Sequence, residues 1–401
     1  MKSVDGDKKY VFLFIILLVS CVTGIASDLY APSMPSISQE LDVSIDRVQW
    51  SMAIYMLGVS LFQFFYGSLS DIFGRKPILL LGLSVFFVGS LICFFSSDIE
   101  WLIFGRFIQG SGAAACAALW RAIFRDVFKS EELAKYGSYL SVIMVFVLPA
   151  APALGGYLQQ SFGWRSSFLF LELYALLALI IVAIKFNETS QHHHISRLKF
   201  SFIASAYLEL LRNRVFMGYC LAAFLTFGAF FSWFVIGPVL IIEILQYSPK
   251  AFGALSFLSL CTAMSIGSNI NARLVQRFGL DTMLNTGWLL IFLGGVIMAL
   301  GYLVFGMTAV AIFVPVILVY FGSTFIFANT FAGAFANIGT IAGSAGGLYG
   351  SIQIAGGAVI GGLIAYLPEA NQLPLAFIYI VSSALAWIAY TLIVKPVVKP
   401  S

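Results

Sequence analysis

Three ionisable side chains sit inside otherwise apolar stretches of this 401-residue sequence, and they are where chemistry could be done. Asp28 lies near the end of the first apolar run, Arg106 follows Trp101 by five positions, and Glu172 follows Trp164 by eight. Read as helices, these runs put Asp28 about 10 Å below Pro35, Arg106 about 7–8 Å below Trp101 and Glu172 about 12 Å in from Trp164. A lone charge at such depth in lipid is expensive, so each is a functional candidate by default. Opposite charges at similar depth invite a pair between Asp28 and Arg106. That pair is either a static salt bridge that sets helix packing or a switch, in which protonating Asp28 frees Arg106 and links hydrogen-ion binding to conformation. Glu172 is either a second proton or cation site or a carboxyl facing a polar partner.

A second cluster sits between two uncharged runs. Gly67-Ser68-Leu69-Ser70-Asp71-Ile72-Phe73-Gly74-Arg75-Lys76-Pro77 contains a seven-residue charged turn from Asp71 to Pro77. A chain crossing lipid twice with so short a turn between must place it at a membrane face. Arg75 and Lys76 mark the cytoplasmic face, where basic residues are retained. Pro77 suits the first turn of the following helix.

The composition requires that setting. Hydrophobic residues make up 60% of the chain and charged residues 10%, with a mean hydropathy of +0.97. A soluble domain carries roughly 25% charged residues. Runs of about 20 apolar residues without period-two alternation select helices over a barrel. Twelve spans fit, at 11–35, 48–69, 78–96, 100–121, 138–159, 165–185, 215–244, 251–272, 282–305, 309–333, 345–366 and 375–394. An even number leaves both termini on one side. Assigning that side as cytoplasmic places 18 of the 22 Lys and Arg inside, three outside and Arg106 within a span, a bias that fixes orientation. The expected fold class is therefore an all-α membrane protein of twelve transmembrane helices in two pseudo-symmetric six-helix bundles.

Two halves are visible. The 67–77 stretch is echoed about 205 residues later by Ala272-Arg273-Leu274-Val275-Gln276-Arg277-Phe278-Gly279, and Gly155-Gly156 by Gly361-Gly362. Same-orientation repeats of this kind belong to carriers with a binding site between two bundles. Residues 1–185 form the expected N-terminal bundle, 186–214 a cytoplasmic linker loop and 215–401 the C-terminal bundle. The linker contains His192-His193-His194, which read as solvated loop residues rather than metal ligands, and Leu198 to Leu211 as an amphipathic or linker helix. The five Cys show no paired spacing, so neither a disulfide framework nor a metal motif is readable. No metal and no cofactor is expected, the proton being the coupling ion.

The spacing G-x-L-x-D-x-x-G-R-K-P resembles the loop between the second and third spans of the major facilitator superfamily, with Ile72 where that family usually has Arg. The resemblance implies that Asp71 sits against the N-terminal end of the eleventh helix, where the helix dipole favours negative charge, and that Gly67, Asp71, Gly74, Arg75, Lys76, Arg125 and Asp126 form an inner gate; for Arg125 and Asp126 an ordinary loop charge cluster is the other reading. Pro149-Ala150-Ala151-Pro152-Ala153-Leu154-Gly155-Gly156 resembles the fifth-span signature of the antiporter branches, with Ala151-Pro152 in place of Gly-Pro. Its two prolines interrupt the hydrogen-bond ladder and its glycines permit close helix approach. Asp28-Leu29-Tyr30-Ala31-Pro32-Ser33-Met34-Pro35, Arg121 to Asp126, Asn271 to Val275, and Ala342 to Ala345 with Gly350 and Gln353 are similar to the Bcr/CflA group of drug-resistance exporters. By the same resemblance the first, fourth, seventh and tenth helices line the cavity, with Tyr30, Gln109, Ala113, Trp233 and Asn329 as candidate liners.

These readings imply a proton-coupled antiporter that exports small organic molecules by alternating access. It would be embedded in the lipid of a bacterial inner membrane, monomeric, and without a nucleic-acid partner. A dedicated siderophore or metabolite exporter, or an importer of the same fold, uses the same machinery. An enzyme needs a nucleophile–base pair or metal ligands at membrane depth, and His occurs only at 192–194. A sensor or scaffold is the remaining alternative.

Overall fold

The structure is a computed structural model that describes residues 6–128, 130–190, 200–336, 338, 342–367 and 370–397. The His192–His194 run lies outside these residues. The first span is α1 (Gly6–Asp28), a single turn at Ala31–Ser33, and α2 (Met34–Glu40). Pro32 and Pro35 fall in first turns, where a missing N–H costs nothing. The N-terminal half continues with α3 (Ile45–Phe73), α4 (Arg75–Phe94), α5 (Ile99–Val127), α6 (Ser130–Phe162) and α7 (Arg165–Lys185). The short α8 (Phe200–Arg212) lies between the halves. The C-terminal half holds α9 (Arg214–Pro238), α10 (Pro249–Phe305), α11 (Ala309–Phe335), α12 (Ala342–Ile364) and α13 (Leu373–Ala389). Polar side chains cap several starts. Asp98 accepts from the Trp101 N–H at 2.9 Å and Asn213 from the Phe216 N–H at 3.0 Å, each satisfying a donor that the helix leaves unpaired.

α10 has 57 residues, about 85 Å of helix, nearly three times the hydrocarbon thickness. Gly279 resolves this. Its φ of 77° and ψ of 168° divide α10 into the eighth and ninth spans, so the described residues form twelve spans. Gly74 does the same between α3 and α4, at φ 98° and ψ 158°. The echo read from sequence is thus an echo in backbone geometry, at a conformation that favours glycine. The charged turn is tighter than seven residues: Asp71 is still in α3, Arg75 is already in α4, and Gly74 alone is non-helical.

The two halves meet along two main seams, α3 against α12 and α6 against α10. At the end remote from Gly74 both are tight. A Cβ on Gly156 would overlap the Pro249 carbonyl, and the Pro152 carbonyl fills the place of a Cβ on Gly253; within the N-terminal half, a Cβ on Gly155 would likewise overlap the Leu29 carbonyl of the first span. Gln49 Nε2 donates to the Val235 carbonyl at 3.2 Å, and Trp50 meets Tyr366 edge-on at 5.4 Å. Toward the Gly74 end the seam opens. Gly350 is still pressed against the Gln63 amide, but Gly67 and Gly346 have no atom within Cβ contact range. The molecule is closed at one end and hollow at the other.

Candidate functional site

The hollow is a cavity of about 730 Å³ between the halves, within the range of small-molecule sites. α3 contributes Gln63 and Asp71, and α5 contributes Ala117, Trp120, Arg121 and Arg125. Across the seam stand Phe327, Phe331, Tyr349 and Gln353. None of the five expected liners is in these walls. Tyr30, Gln109, Ala113 and Trp233 are fully buried and Asn329 is 4% exposed. Trp233 packs against Phe252 and Phe313, and Asn329 donates to Asn271 Oδ1 at 2.8 Å. Tyr30, Gln109, Ala113 and Trp233 fill helix–helix contacts nearer the closed end, so the cavity begins one to two turns further along α5, while Asn329 lies level with the cavity on another face of α11 from Phe327 and Phe331.

Tyr30 and Gln109 instead hold Arg106. Its guanidinium lies 4.1 Å from the Tyr55 ring centroid and 4.6 Å from that of Tyr30. It donates to the Ala26 carbonyl at 3.1 Å and to Gln109 Oε1 at 2.5 Å, and Gln109 Nε2 donates on to Ser90 at 2.8 Å. Tyr30 and Ser51 are hydrogen-bonded at 2.7 Å, and Tyr55 donates to the Thr23 carbonyl at 2.9 Å. Two π faces and two oxygens thus take the place of a carboxylate around the buried cation.

The expected Asp28–Arg106 pair is absent from the ion pairs among the described residues. Asp28 is 9% exposed and accepts from Ser27 Oγ at 2.6 Å. It lies within electrostatic reach of Tyr55 and of Tyr320 in α11, across the boundary between the halves. The physical reason is azimuth. Arg106 meets α1 at Ala26, and Asp28 lies about 200° further round the helix. Equal depth does not imply a shared face. Glu172, on α7, is half-buried, has no hydrogen bond or ion pair among the described residues, and is not in the cavity wall.

Of the residues expected at an inner gate, Arg75, Asp71 and Asp126 come together. Arg75 pairs with Asp71 at 2.6 Å and with Asp126 at 3.1 Å, and donates to Ser70 at 2.5 Å. Among the described residues Asp71 pairs with its own turn's cation and has no hydrogen bond or ion pair to α12, although Asp71 and Ser344 of α12 line the same cavity. Arg125 has no acidic partner among the described residues and lines the cavity instead. Lys76 donates through Nζ to the Ala183 carbonyl at 2.8 Å.

Two residues not singled out from the sequence belong here. The Glu188 carboxylate accepts from the Arg75 N–H at 2.9 Å and the Lys76 N–H at 3.0 Å, capping α4 from 113 residues away. Burial works to raise its pKa. The N–H donors of Ser190, Arg75, Lys76 and Thr189 outweigh burial and hold it below the usual carboxylate range. Tyr207 of α8 stacks on Phe64 with centroids 4.0 Å apart, donates to the Phe64 carbonyl at 3.1 Å and lines the cavity mouth. Neither carries a short-range signal, since both act on a segment distant in sequence.

Comparison with known proteins agrees with this architecture. Residues 16–365 match the Major Facilitator Superfamily model. The chain is 31% identical over 376 residues to the bicyclomycin resistance protein homolog of Haemophilus influenzae, covering 93% of this chain and 94% of that one. It is 27% identical to multidrug resistance protein D of Escherichia coli, covering 90% of each. Among solved structures it is similar to a partially occluded, inward-open conformation of the xylose transporter XylE from E. coli, with a TM-score of 0.74, 14% identity, and coverage of 97% and 98%; at that identity the likeness is one of fold. The twelve helices, the paired glycine turns and these matches together place the chain in the major facilitator superfamily, in its Bcr/CflA-type branch of drug-resistance exporters.

Proposed function

We propose that this chain is a proton-coupled exporter of small organic molecules, working by alternating access. The observation that carries the reading is the asymmetry of the seam: a small-molecule-sized cavity at the end with the basic turn, and interlocked glycines and carbonyls at the other. With the basic turns cytoplasmic, this is the state that receives cargo from the cell interior. Both termini are then cytoplasmic, in a bacterial inner membrane. Residues 1–185 and 215–401 rock against one another, joined by the linker at 186–214.

Asp28 is the proposed proton site. It sits where α1 meets α6, one residue before the Leu29 carbonyl that receives Gly155. A change in its charge therefore falls on the packing of the first span against α6, which in turn meets α10 at the closed seam, and not on Arg106, which is held by other groups. Glu172 remains a candidate second carboxyl. Its position on α7 favours an influence through helix packing over contact with cargo. Bicyclomycin and multidrug resistance in the relatives' names support an export role.

The test is transport in proteoliposomes. An imposed pH gradient is expected to drive accumulation of at least one compound from a drug panel, and collapsing the gradient to abolish it. Counterflow without any response to a pH gradient across the panel would remove proton coupling and leave a facilitator.

A further inference from the structure

We propose that the cavity binds its cargo through an anionic group, received by Arg121 and Arg125. This assignment rests on the carrier reading above. Three arginines and one carboxylate line the cavity. Arg75 is already matched, by Asp71 and Asp126. Arg121 and Arg125 have no acidic partner among the described residues. They lie one turn apart on α5, where like charges repel; the helix dipole favours Arg125, in the last turn, and gives no such account of Arg121.

Arg121 is about 9 Å from the end of α5 and is exposed in the cavity wall. Its surroundings supply neither an acid nor an indifferent wall. The guanidinium lies 4.4 Å from the Trp120 ring centroid and 5.8 Å from that of Phe331, which belongs to the other half. Stacked on a ring, a guanidinium still directs its in-plane N–H groups outward, in a fork that matches carboxylate, sulfonate or phosphate. Phe327, Phe331 and Tyr349 supply flat apolar surface beside it. The complementary ligand is a planar aromatic body bearing one acidic group, with the acid on α5 and the ring against α11. Such a ligand touches both halves, so its binding bears on their relative position. An anionic lipid headgroup has the same acid chemistry, and the experiment separates the two sources.

The test is isothermal titration of the full-length protein in detergent with two probes of one ring and opposite charge, 2-naphthoate and 2-naphthylmethylammonium. The carboxylate is expected to bind at least about tenfold more tightly, as for a charge-assisted contact against a like-charge clash. R121Q is expected to reduce the preference to within about twofold, and R121K to keep most of it. R125Q, a second variant in case R121Q does not fold, is expected to lower it by severalfold. A ratio near one or favouring the ammonium, no naphthoate binding up to millimolar concentration, or a ratio unchanged in both Gln variants would overturn the proposal. Repeating the titration in nanodiscs separates cargo from lipid: phosphatidylglycerol weakening naphthoate binding tenfold relative to phosphatidylcholine assigns the site to a headgroup and removes the cargo claim. The ratio is an equilibrium property measured without a gradient, so it is independent of failure of pH-driven transport, and its own failure leaves the carrier reading standing.

Discussion

The Glu188 carboxylate spans the first turn of α4, with one oxygen 2.9 Å from the Arg75 N–H and the other 3.0 Å from the Lys76 N–H. It ties the beginning of the linker to the gate turn, so the two move together. An acid at a helix N-terminus is stabilised by the helix dipole and by the unpaired N–H groups. Its pKa is depressed in the folded state, burial being outweighed by those donors. The contribution is therefore present above the unfolded-state carboxyl pKa and lost as pH falls through the lower folded-state value. Glu188→Gln is expected to lower the melting temperature by about 1–3 °C at neutral pH. The gap between wild type and variant should close below about pH 4. Scanning fluorimetry at a series of pH values checks this, and a gap of constant size would show that the charge is immaterial.

Asp28 and Arg106 make separate contacts, and that separation has a measurable consequence. Removing one partner of a buried ion pair costs about 3–5 kcal/mol, because the other charge is orphaned. Arg106 keeps Ala26, Gln109 and two tyrosine rings whatever happens at Asp28. Asp28→Asn is therefore expected to melt within about 1 kcal/mol of wild type, while pH-gradient-driven transport is lost and counterflow persists. Severe destabilisation would restore the direct pair. Full gradient-driven transport would remove Asp28 as the proton site.

The twelve helices were legible because apolar length, Gly turns and basic loops are local properties. The match between Gly74 and Gly279 was legible for the same reason. The site was less so. Hydropathy gives a residue's depth and says nothing of its azimuth, so equal depth suggests an Asp28–Arg106 pair while α1 turns Ala26 toward Arg106. Azimuth also separates Asn329, which bonds Asn271, from Phe327, Ala328 and Phe331, which face the cavity. The cavity lies beside Arg121 and not beside Gln109 because the molecule is hollow at one end in this state. One sequence encodes both states, so it does not say which end is open. Glu188 and Tyr207 act on turns far away in sequence and leave no periodic trace.

The seal at the closed end depends on bare backbone. Gly156 faces the Pro249 carbonyl with no room for a methyl group, and Gly253 faces that of Pro152 likewise. Small residues permit such approach between membrane helices. Gly156→Ala must push α6 from α10 whenever this end is shut, and costs nothing when it is open. The variant is expected to populate the opposite state. Ala53 lies in the same end of the seam, with its Cβ near Gly362. A cysteine placed there should react severalfold faster with a membrane-impermeant maleimide in the Gly156→Ala background, after the native cysteines are replaced. An unchanged rate would mean that α6 and α10 separate elsewhere.

Gly74 and Gly279 share a backbone conformation but not a neighbourhood. A Cβ at Gly74 would sit 2.5 Å from Glu188 Oε2, whereas one at Gly279 has no atom within contact range. Gly279→Ala therefore carries only the strain of a positive φ, about 1–2 kcal/mol. Gly74→Ala carries the same strain and in addition expels the carboxylate that caps α4. It is expected to be the more destabilising by about 1 kcal/mol, the worth of a lost cap. Combining Gly74→Ala with Glu188→Gln should then cost less than the two changes added separately, since both remove one contact. Thermal melts of the three single variants and the double variant check this. Strict additivity would mean that Glu188 does not act through the turn, and equal melting of the two alanine variants would mean that strain alone governs both positions.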